Sequence, residues 1–378
     1  MSLPDSSSVS RQSDAAVEAS SAKGKAKRQP GKDLDLGLKL QVASALATSG
    51  YYSRINVLLS ATGSRGLADV TDIDVLAIRY DLMFNREAVA VSCKGGASKA
   101  LSPAREAFYL RGVVDYVGAG EGVAAFSQKP IAPHLRDLGQ RLGILMLSGD
   151  EIGRWCDHLT NGLADPGYFR EPAYEVYKRG WEHFSNEGLA TYLNTDYWFH
   201  FDFRNLQNVI VHLKKVASKV DGKEDWHGVI AWDAAAHLCL TVFDLCRQVR
   251  MLGLASITDT TAAFLFGGSA SLKARRDLYS RVQQLLASTG VAGQGGASLP
   301  PLEPAYSQSL AELVLRFVER PHSAILIPVI IQDNFWRLLG AQGLHGRDDK
   351  NFLAAEKLTQ DLLNFIKSAT GAAWMPRL

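Results

Sequence analysis

The most informative part of this chain is the pair of stretches Thr71-Asp72-Ile73-Asp74-Val75-Leu76-Ala77-Ile78 and Ala88-Val89-Ala90-Val91-Ser92-Cys93-Lys94-Gly95-Gly96. Both stretches have the length of a strand, are mostly apolar and contain alternating valine or isoleucine residues. They predict two buried β-strands, over Asp72–Arg79 and Glu87–Lys94, joined by a short hairpin. Two adjacent strands at this point would form the middle of a larger sheet.

The elements around these strands alternate between helix and strand. An apolar stripe predicts an amphipathic helix over Leu36–Thr48. Ser102-Pro103 supplies an N-cap and a first-turn proline for a helix that runs to about Val117, and Ser148 to Glu151 has the spacing of a capping box. The other predicted elements are a strand at Arg54–Ser60, a turn at Ala61–Gly66, a strand at Gly122–Phe126, a helix at Ala132–Leu142 and a strand at Gly143–Leu147. This order is typical of an α/β layer with a mixed sheet flanked by helices.

Three regions follow from the composition along the chain. Residues 1–35 are rich in Ser, Ala and Lys and are interpreted as a disordered basic arm, with a solvated tail or a phosphate-attracting segment as its alternative roles. Residues 36–160 carry the α/β pattern. Residues 161–378 show helical periodicity, interrupted by a Gly/Pro/Ser-rich linker near 289–304, and predict an all-α C-terminal domain of unknown role.

The composition of the 378 residues excludes several classes of protein. With 47% hydrophobic and 21% charged residues, the chain has the make-up of a globular protein with a sizeable core. No uninterrupted apolar run reaches the roughly 18 residues of a membrane span, and the N-terminus has no secretory signal, so no membrane partner is predicted. Four cysteines without C-x-x-C spacing favour a reducing cytoplasm over a disulfide scaffold or a zinc site. A net charge of +2 means that nucleic-acid affinity would need local basic patches.

Acidic and basic residues lie on defined faces of the two central strands. Residues two apart in a strand share a face of the sheet. Asp72 and Asp74 therefore point the same way from the first strand. In the second strand Ser92 and Lys94 share a face, and Cys93 points to the opposite face. The strands therefore predict a carboxylate beside an ammonium on a solvent-facing side of the sheet. An exposed ion pair contributes only about 0–1 kcal/mol, so the sheet does not need one for stability. Metal-dependent phosphodiester hydrolysis does need the pair, because a carboxylate holds Mg²⁺ and a lysine stabilises developing charge.

The order of these elements resembles the PD-(D/E)xK restriction-endonuclease-like superfamily. An acidic residue opens an apolar strand, and a hairpin leads to a second strand that ends in x-x-Lys and is followed by a helix. The resemblance covers about residues 36–160, and the helix ending at Ser49-Gly50 fits it as well. It implies a restriction-endonuclease-like mixed sheet flanked by helices, with Asp74 as the metal-binding aspartate and Lys94 as the catalytic lysine. It also implies Mg²⁺ (or Mn²⁺) as cofactor and nucleic acid as substrate, with DNA preferred over RNA. Members of this superfamily act in bacterial restriction, phage defence or DNA repair.

Two positions depart from the family pattern. Ser92 stands where the motif usually has Glu, and the first helix reads Leu38-Lys39-Leu40-Gln41 without the acidic residue often found there. Some members with Ser at this position supply the carboxylate from the following helix, about a dozen residues after the lysine. Glu106 lies twelve positions after Lys94, so the resemblance implies Glu106 as the second metal ligand. The alternative role for Glu106 is to stabilise the dipole of the helix in whose first turn it lies.

Further residues are predicted to assist the site. Asp72 and Ser92 would support it, with exposed surface as the alternative role of Asp72. The predicted nucleic-acid contacts are basic residues: Lys99, Arg105, Arg275 and Arg276. The last two belong to a basic cluster of the helical half for which a solvated helix face is the alternative. Asp233 and His237, one helical turn apart, are interpreted as a packing pair and not as metal ligands.

Three functions remain open from the sequence. The preferred one is a cytoplasmic, metal-dependent nuclease. The alternative is a catalytically degenerate nuclease fold that has kept nucleic-acid binding or a role in assembly. The third is a helical interaction scaffold in which the α/β part is structural. A homo-oligomer, or a protein partner bound through the helical domain, is compatible with each of them.

Overall fold

A computed structural model of the chain describes residues 35–63, 66–95, 102–183, 188–199, 203–252, 256–288, 299–344 and 350–378. Asp35–Leu378 form one compact unit. Lys99, the predicted arm up to residue 34 and the predicted linker between 289 and 298 lie outside the described residues. The division of the folded part at residue 160 into two domains stays a prediction.

Within the described residues, five strands form one mixed sheet. The strands are β1 (Tyr52–Gly63), β2 (Gly66–Tyr80), β3 (Arg86–Lys94), β4 (Glu121–Phe126) and β5 (Ile144–Ser148). They lie in chain order, with β1–β2 and β2–β3 antiparallel and β3–β4 and β4–β5 parallel. A helix bridges each parallel step, because parallel neighbours need a crossover connection. The predicted mixed sheet is therefore confirmed.

The helices that flank the sheet begin and end close to their predicted limits. They are α1 (Leu36–Thr48), α2 (Pro103–Val117), α3 (Pro133–Leu142) and α4 (Gly149–Thr160). The Ser102 hydroxyl accepts from the Arg105 N–H at 3.4 Å, and Glu151 reaches back to the Ser148 N–H at 2.9 Å, so both predicted caps are present. Helix α1 packs against β1, β2 and α4, while α2 packs against β3, β4, β5 and α3.

The chain reverses direction within the turn predicted at Ala61–Gly66, but the turn is narrower than predicted. Strand β1 continues to Gly63, β2 begins at Gly66, and these two glycines are antiparallel partners. The predicted width rested on the low strand propensity of the glycines. Cross-strand pairing along a long two-stranded ribbon overrides that propensity.

From residue 161 onward, the described chain is helical, as the sequence predicts. The helices are α5 (Glu171–His183), α6 (Leu189–Asn194), α7 (Phe203–Ala217), α8 (Asp225–Leu252), α9 (Ile257–Leu265), α10 (Ser269–Ser288), α11 (Ser307–Glu319), α12 (Pro321–Ala324), α13 (Ile327–Leu338) and α14 (Lys350–Thr370), and a 3₁₀ turn spans Asp196–Phe199. The aromatics Trp198 and Trp232 are buried in this half, as expected.

Helix α8, with 28 residues, is the longest helix that the structure describes. Its segment Trp226–Leu252 is long and apolar enough, by length and composition, to cross a membrane, and 94% of its apolar window is buried inside the structure. It is not an uninterrupted apolar run, because Asp233, His237 and Asp244 lie between its apolar residues. Cys239 and Cys246 are buried in it.

A buried ionic network joins β1 of the sheet to α8. Arg54 Nη1 donates to both carboxylate oxygens of Asp233, at 2.7 and 2.9 Å, and the Tyr52 hydroxyl donates to the same carboxylate at 2.8 Å. His237 Nδ1 lies 2.7 Å from the Asp233 carbonyl, so its Nε2 is left to accept from Arg54 at 3.2 Å. Burial lowers the pKa of His237 to about 4, so the ring is neutral at pH 7. Asp233 and His237 therefore form a packing pair, as predicted.

We expect Asp233→Ala to lower the free energy of unfolding by about 3–5 kcal/mol, because it leaves the buried Arg54 guanidinium without a counter-charge. The matched control is Glu87→Ala, which removes the carboxylate of the exposed Arg79–Glu87 pair at 2.5 Å. That control is expected to lose no more than about 1 kcal/mol. Urea denaturation measures the free energy of unfolding of both variants. Losses of equal size would contradict a stabilising role for the ionic network between the sheet and the helices.

Candidate functional site

Strands β2 and β3 bring Asp74 and Ser92 together just beyond the paired residues Val75 and Val91. The Ser92 hydroxyl oxygen lies 3.4 Å from Asp74 Oδ2, and the backbone N–H of Cys93 donates to the same carboxylate oxygen at 2.7 Å. The Cys93 side chain is fully buried, and burial raises the pKa of its thiol well above the ordinary value. The strand pairing thus holds the Asp74 carboxylate in a fixed position.

Lys94 and Glu106 complete the predicted constellation. Lys94 Nζ lies 3.5 Å from Asp74 Oδ2 and 3.5 Å from Glu106 Oε1, and Ser92 Oγ donates to Glu106 Oε1 at 2.5 Å. Burial by itself lowers the pKa of Lys94, but the negative charges of Asp74 and Glu106 outweigh it, so this pKa is raised. Lys94 is therefore an ammonium at neutral pH and acts as a positive charge, not as a general base.

The N-terminus of α2 positions Glu106. Pro103 occupies the first turn, and the Glu106 N–H donates to the Ser102 carbonyl at 3.0 Å, so the helix is regular from its first residue. Its N-terminal end carries a partial positive charge, which favours a carboxylate there. Glu106 lies in the first helical turn, where its alternative role places it, and it also accepts a hydrogen bond from the Ser92 hydroxyl. Its role as a metal ligand stays a prediction.

Lys39 of α1 belongs to the same cluster, and the sequence prediction missed it. Its ammonium lies 2.9 Å from Asp74 Oδ1 and donates to Asn56 Oδ1 at 2.8 Å. Asn56 faces Asp74 from β1 in a left-handed backbone conformation, with φ of 56°, which Asn tolerates. The sequence signal for the burial of Lys39 was its spacing. Lys39 lies three residues before Val42 and seven before Leu46, which places all three on the buried face of the helix.

Asp35 is a second residue that the sequence prediction left out of the site. It directly precedes α1 and its carboxylate accepts a hydrogen bond from the Gly95 N–H, immediately after Lys94. Its negative charge also contributes to the raised pKa of Lys94. The sequence prediction placed Asp35 in the arm, although it belongs to the compact unit.

The predicted solvent exposure of the site is wrong in part. Asp74 is only 7% exposed, because α1 covers it and directs Lys39 onto it. Lys94 and Glu106 are partly buried and reach solvent through an open depression of about 330 Å³. The depression is lined by Thr71, Asp72, Lys94, Ser102, Arg105, Glu106 and Tyr109. Asp72 and Arg105 are exposed at its mouth, where both can meet a ligand.

The other predicted nucleic-acid contacts lie elsewhere. Arg275 and Arg276 are exposed on α10 in the helical half. The Arg275 guanidinium lies 5.5 Å from the centre of the Phe266 ring, and Arg276 pairs with Glu303 at 2.8 Å. Their role in binding nucleic acid stays a prediction.

The donor set restricts which cation the site could hold. In the part of the chain that the structure describes, no group of three or more His, Cys, Asp or Glu side chains converges on a common point. Asp74 and Glu106 offer two carboxylates, both in contact with Ser92 Oγ. Mg²⁺ is usually bound by one or two carboxylates and keeps several waters, so the pair fits Mg²⁺ or a similar hard cation. Such a cation would share Asp74 with Lys39 and Lys94.

Comparisons of the chain with protein-family models, with curated proteins and with solved structures find no match. The interpretation of the site therefore rests on its own geometry and chemistry.

We expect Lys39→Met to lower the free energy of unfolding by about 3 kcal/mol, because it leaves the buried Asp74 carboxylate with one ammonium instead of two. Lys214→Met on the exposed face of α7 is the matched control, with an expected change within about 0.5 kcal/mol. In the double variant Lys39→Met/Asp74→Asn, much of the loss should be recovered, because the unpaired charge is gone. Additive losses in urea denaturation would contradict direct coupling of Lys39 to Asp74.

Proposed function

We propose that residues 36–160 form a PD-(D/E)xK restriction-endonuclease-like domain that hydrolyses phosphodiester bonds in DNA (or RNA) with Mg²⁺ or Mn²⁺. The supporting observation is that the carboxylates of Asp74 and Glu106 both lie against Ser92 Oγ, with Lys94 Nζ 3.5 Å from each carboxylate. These side chains come from two strands and the following helix, and Glu106 takes the place of the missing motif carboxylate. Restriction, phage defence and repair in the cytoplasm are the settings we propose for this activity.

Each residue has a distinct part in this reaction. Asp74 and Glu106 would hold the divalent cation, which supplies charge stabilisation at a phosphate oxygen and lowers the pKa of a bound water. Lys94 stays protonated and stabilises the negative charge that develops on the phosphate. Ser92 Oγ donates its one proton to Glu106 at 2.5 Å and lies 3.4 Å from Asp74 Oδ2, so it orients Glu106 beside Asp74. Asp72 and Arg105 lie at the mouth of the depression, where Arg105 can contact a neighbouring phosphate.

A second candidate function is favoured by one observation, the ammonium of Lys39 at 2.9 Å from Asp74 Oδ1. A lysine in this position neutralises the carboxylate without any metal. The same fold would then bind nucleic acid, or assemble with a partner, without hydrolysing a phosphodiester. The first candidate function requires a divalent cation at Asp74 for hydrolysis, whereas the second requires none.

A nuclease assay on the full-length chain separates the two candidates. We expect wild type to cleave single-stranded or plasmid DNA in Mg²⁺ or Mn²⁺, and EDTA to abolish cleavage. Asp74→Asn, Lys94→Gln and Glu106→Gln should each lower the rate at least about a hundredfold, because each removes a charge that acts on the transition state. Glu87→Gln, an exposed carboxylate of β3 paired with Arg79, is the matched control and should cleave like wild type.

Cleavage that is equal in wild type and Asp74→Asn, or that persists in EDTA, would contradict the nuclease proposal. An uncleaved substrate that the protein still binds with a strong salt dependence would support the second candidate function.

A further inference from the structure

Aromatic side chains form a stripe on the exposed face of α2. Phe108, Tyr109 and Tyr116 are 59%, 38% and 61% exposed, and Arg105 is exposed on the same face. The opposite face of the helix is buried, and it consists of Ala107, Leu110, Val113, Val114 and Val117. The packing of α2 on the sheet therefore does not account for the exposed aromatic residues.

Gly112 forms a gap in the middle of this stripe. It lies four residues after Phe108 and four before Tyr116, so the three share one side of the helix. Glycine is among the least favourable residues in a helix interior, and a Cβ placed at Gly112 would meet no atom within 4 Å. The fold itself does not require a glycine here. The gap lets a ligand approach the helix backbone between the two rings.

The stripe is continuous with the candidate site. Arg105 and Tyr109 line the depression into which Lys94 and Glu106 open. The Tyr109 hydroxyl contacts the Thr71 hydroxyl and lies 3.3 Å from the Asp72 carbonyl, so its ring is held at the mouth of the depression. A ligand that leaves the depression along α2 therefore meets Tyr109 first, and then Phe108, Gly112 and Tyr116.

We propose that the α2 stripe, formed by Arg105, Phe108, Tyr109, Gly112 and Tyr116, binds the unpaired bases of a single-stranded nucleic acid next to the phosphate held in the depression. The inference rests on the proposed function and names its substrate class. Unpaired bases expose faces that stack on Phe and Tyr rings, whereas in a duplex these faces are already covered by neighbouring bases. Arg105 supplies a guanidinium for the backbone phosphate.

The spacing along the helix limits which bases the two rings can contact. Tyr116 lies eight residues after Phe108, which places the two about 12 Å apart along the axis. Stacked neighbours in one strand of a duplex are about 3.4 Å apart. The two rings therefore contact bases that are splayed apart or not adjacent in the strand, and the gap at Gly112 gives the strand room to pass between the rings.

The experiment measures binding with the full-length wild-type chain in EDTA, in which metal-dependent cleavage is suppressed. Fluorescence anisotropy at fixed salt compares labelled mixed-sequence strands of about 20 nucleotides, as DNA and as RNA, with the matching DNA duplex. We expect tighter binding of a single strand than of the duplex. Phe108→Ala and Tyr116→Ala should each weaken single-strand binding about tenfold or more and leave duplex binding unchanged. Leu353→Ala, at an exposed leucine of α14, is the matched control.

Gly112→Leu tests the gap without removing a ring. Leucine is a better helix former than glycine, and a Cβ at this position meets no atom within 4 Å, so the melting temperature should stay the same or rise. Single-strand binding should nevertheless weaken, because the side chain fills the space between Phe108 and Tyr116. A folded Gly112→Leu variant with unchanged single-strand affinity would overturn the inference.

Hydrolysis by wild type is measured separately on the same oligonucleotides, so the two proposals can fail independently. Aromatic-dependent binding of single strands without hydrolysis would refute the nuclease proposal and support the stripe. Metal-dependent hydrolysis with equal affinity for single strands and duplex, unchanged in Phe108→Ala and Tyr116→Ala, would overturn the stripe alone. Aromatic substitutions that dissociate a dimer in sedimentation without changing these affinities would also overturn it and identify a second copy as the occupant.

Discussion

The carboxylate of Asp74 is buried, and its charge has to be compensated for the sheet to form around it. An ion taken out of water costs several kcal/mol unless partners surround it. Here the partners are Lys39 at 2.9 Å, Lys94 at 3.5 Å and the backbone N–H of Cys93 at 2.7 Å. They come from a helix and a neighbouring strand, so the burial of one charge fixes the position of α1 against β2 and the alignment of β2 with β3. The site and the fold depend on the same contacts.

The helical half restrains the sheet through a second buried charge. Arg54 of β1 is held by Asp233 of α8, and two residues further along β1 Asn56 accepts a hydrogen bond from Lys39. The edge of β1 is also covered, because Gln332 of α13 accepts from the Ser53 N–H at 2.8 Å. A side chain that pairs with the strand edge prevents the addition of another strand there. The α/β layer and the helices also share one hydrophobic core. The position of Lys39 therefore depends on the packing of the α/β layer and on that of the helical half.

Local signals in the sequence were sufficient for most of the sheet and for placing Asp74 and Lys94 on neighbouring strands. The strands at β2 and β3 and the cap at Ser102 follow from short-range patterns, whereas Glu106 was implied only by the resemblance to the superfamily. Lys39 and Asp35 were missed, because a lysine buried on the apolar face of a helix and an acidic residue next to a polar tail acquire their partners only in the tertiary structure. The predicted exposure of Asp74 failed for the same reason: strand alternation defines a face but does not say which helix covers it. The turn at Ala61–Gly66 was predicted too wide, because glycine propensity yields to cross-strand pairing.

We propose that Asp74 and Glu106 share a divalent cation in spite of the two lysines that contact Asp74. The carboxylates of Asp35, Asp74 and Glu106 all act on the Lys94 ammonium, and Lys39 pairs with Asp74. Three carboxylates and two ammonium groups leave a negative charge that a cation can reduce. Soaking a crystal of the full-length protein in MnCl₂ and collecting diffraction data at the manganese absorption edge tests this sharing. We expect an anomalous peak about 2.1–2.2 Å from a carboxylate oxygen of Asp74 and from one of Glu106. A difference map that shows Lys39 on Asp74 and no anomalous peak between the two carboxylates, at a Mn²⁺ concentration that saturates other sites in the crystal, would rule the shared cation out.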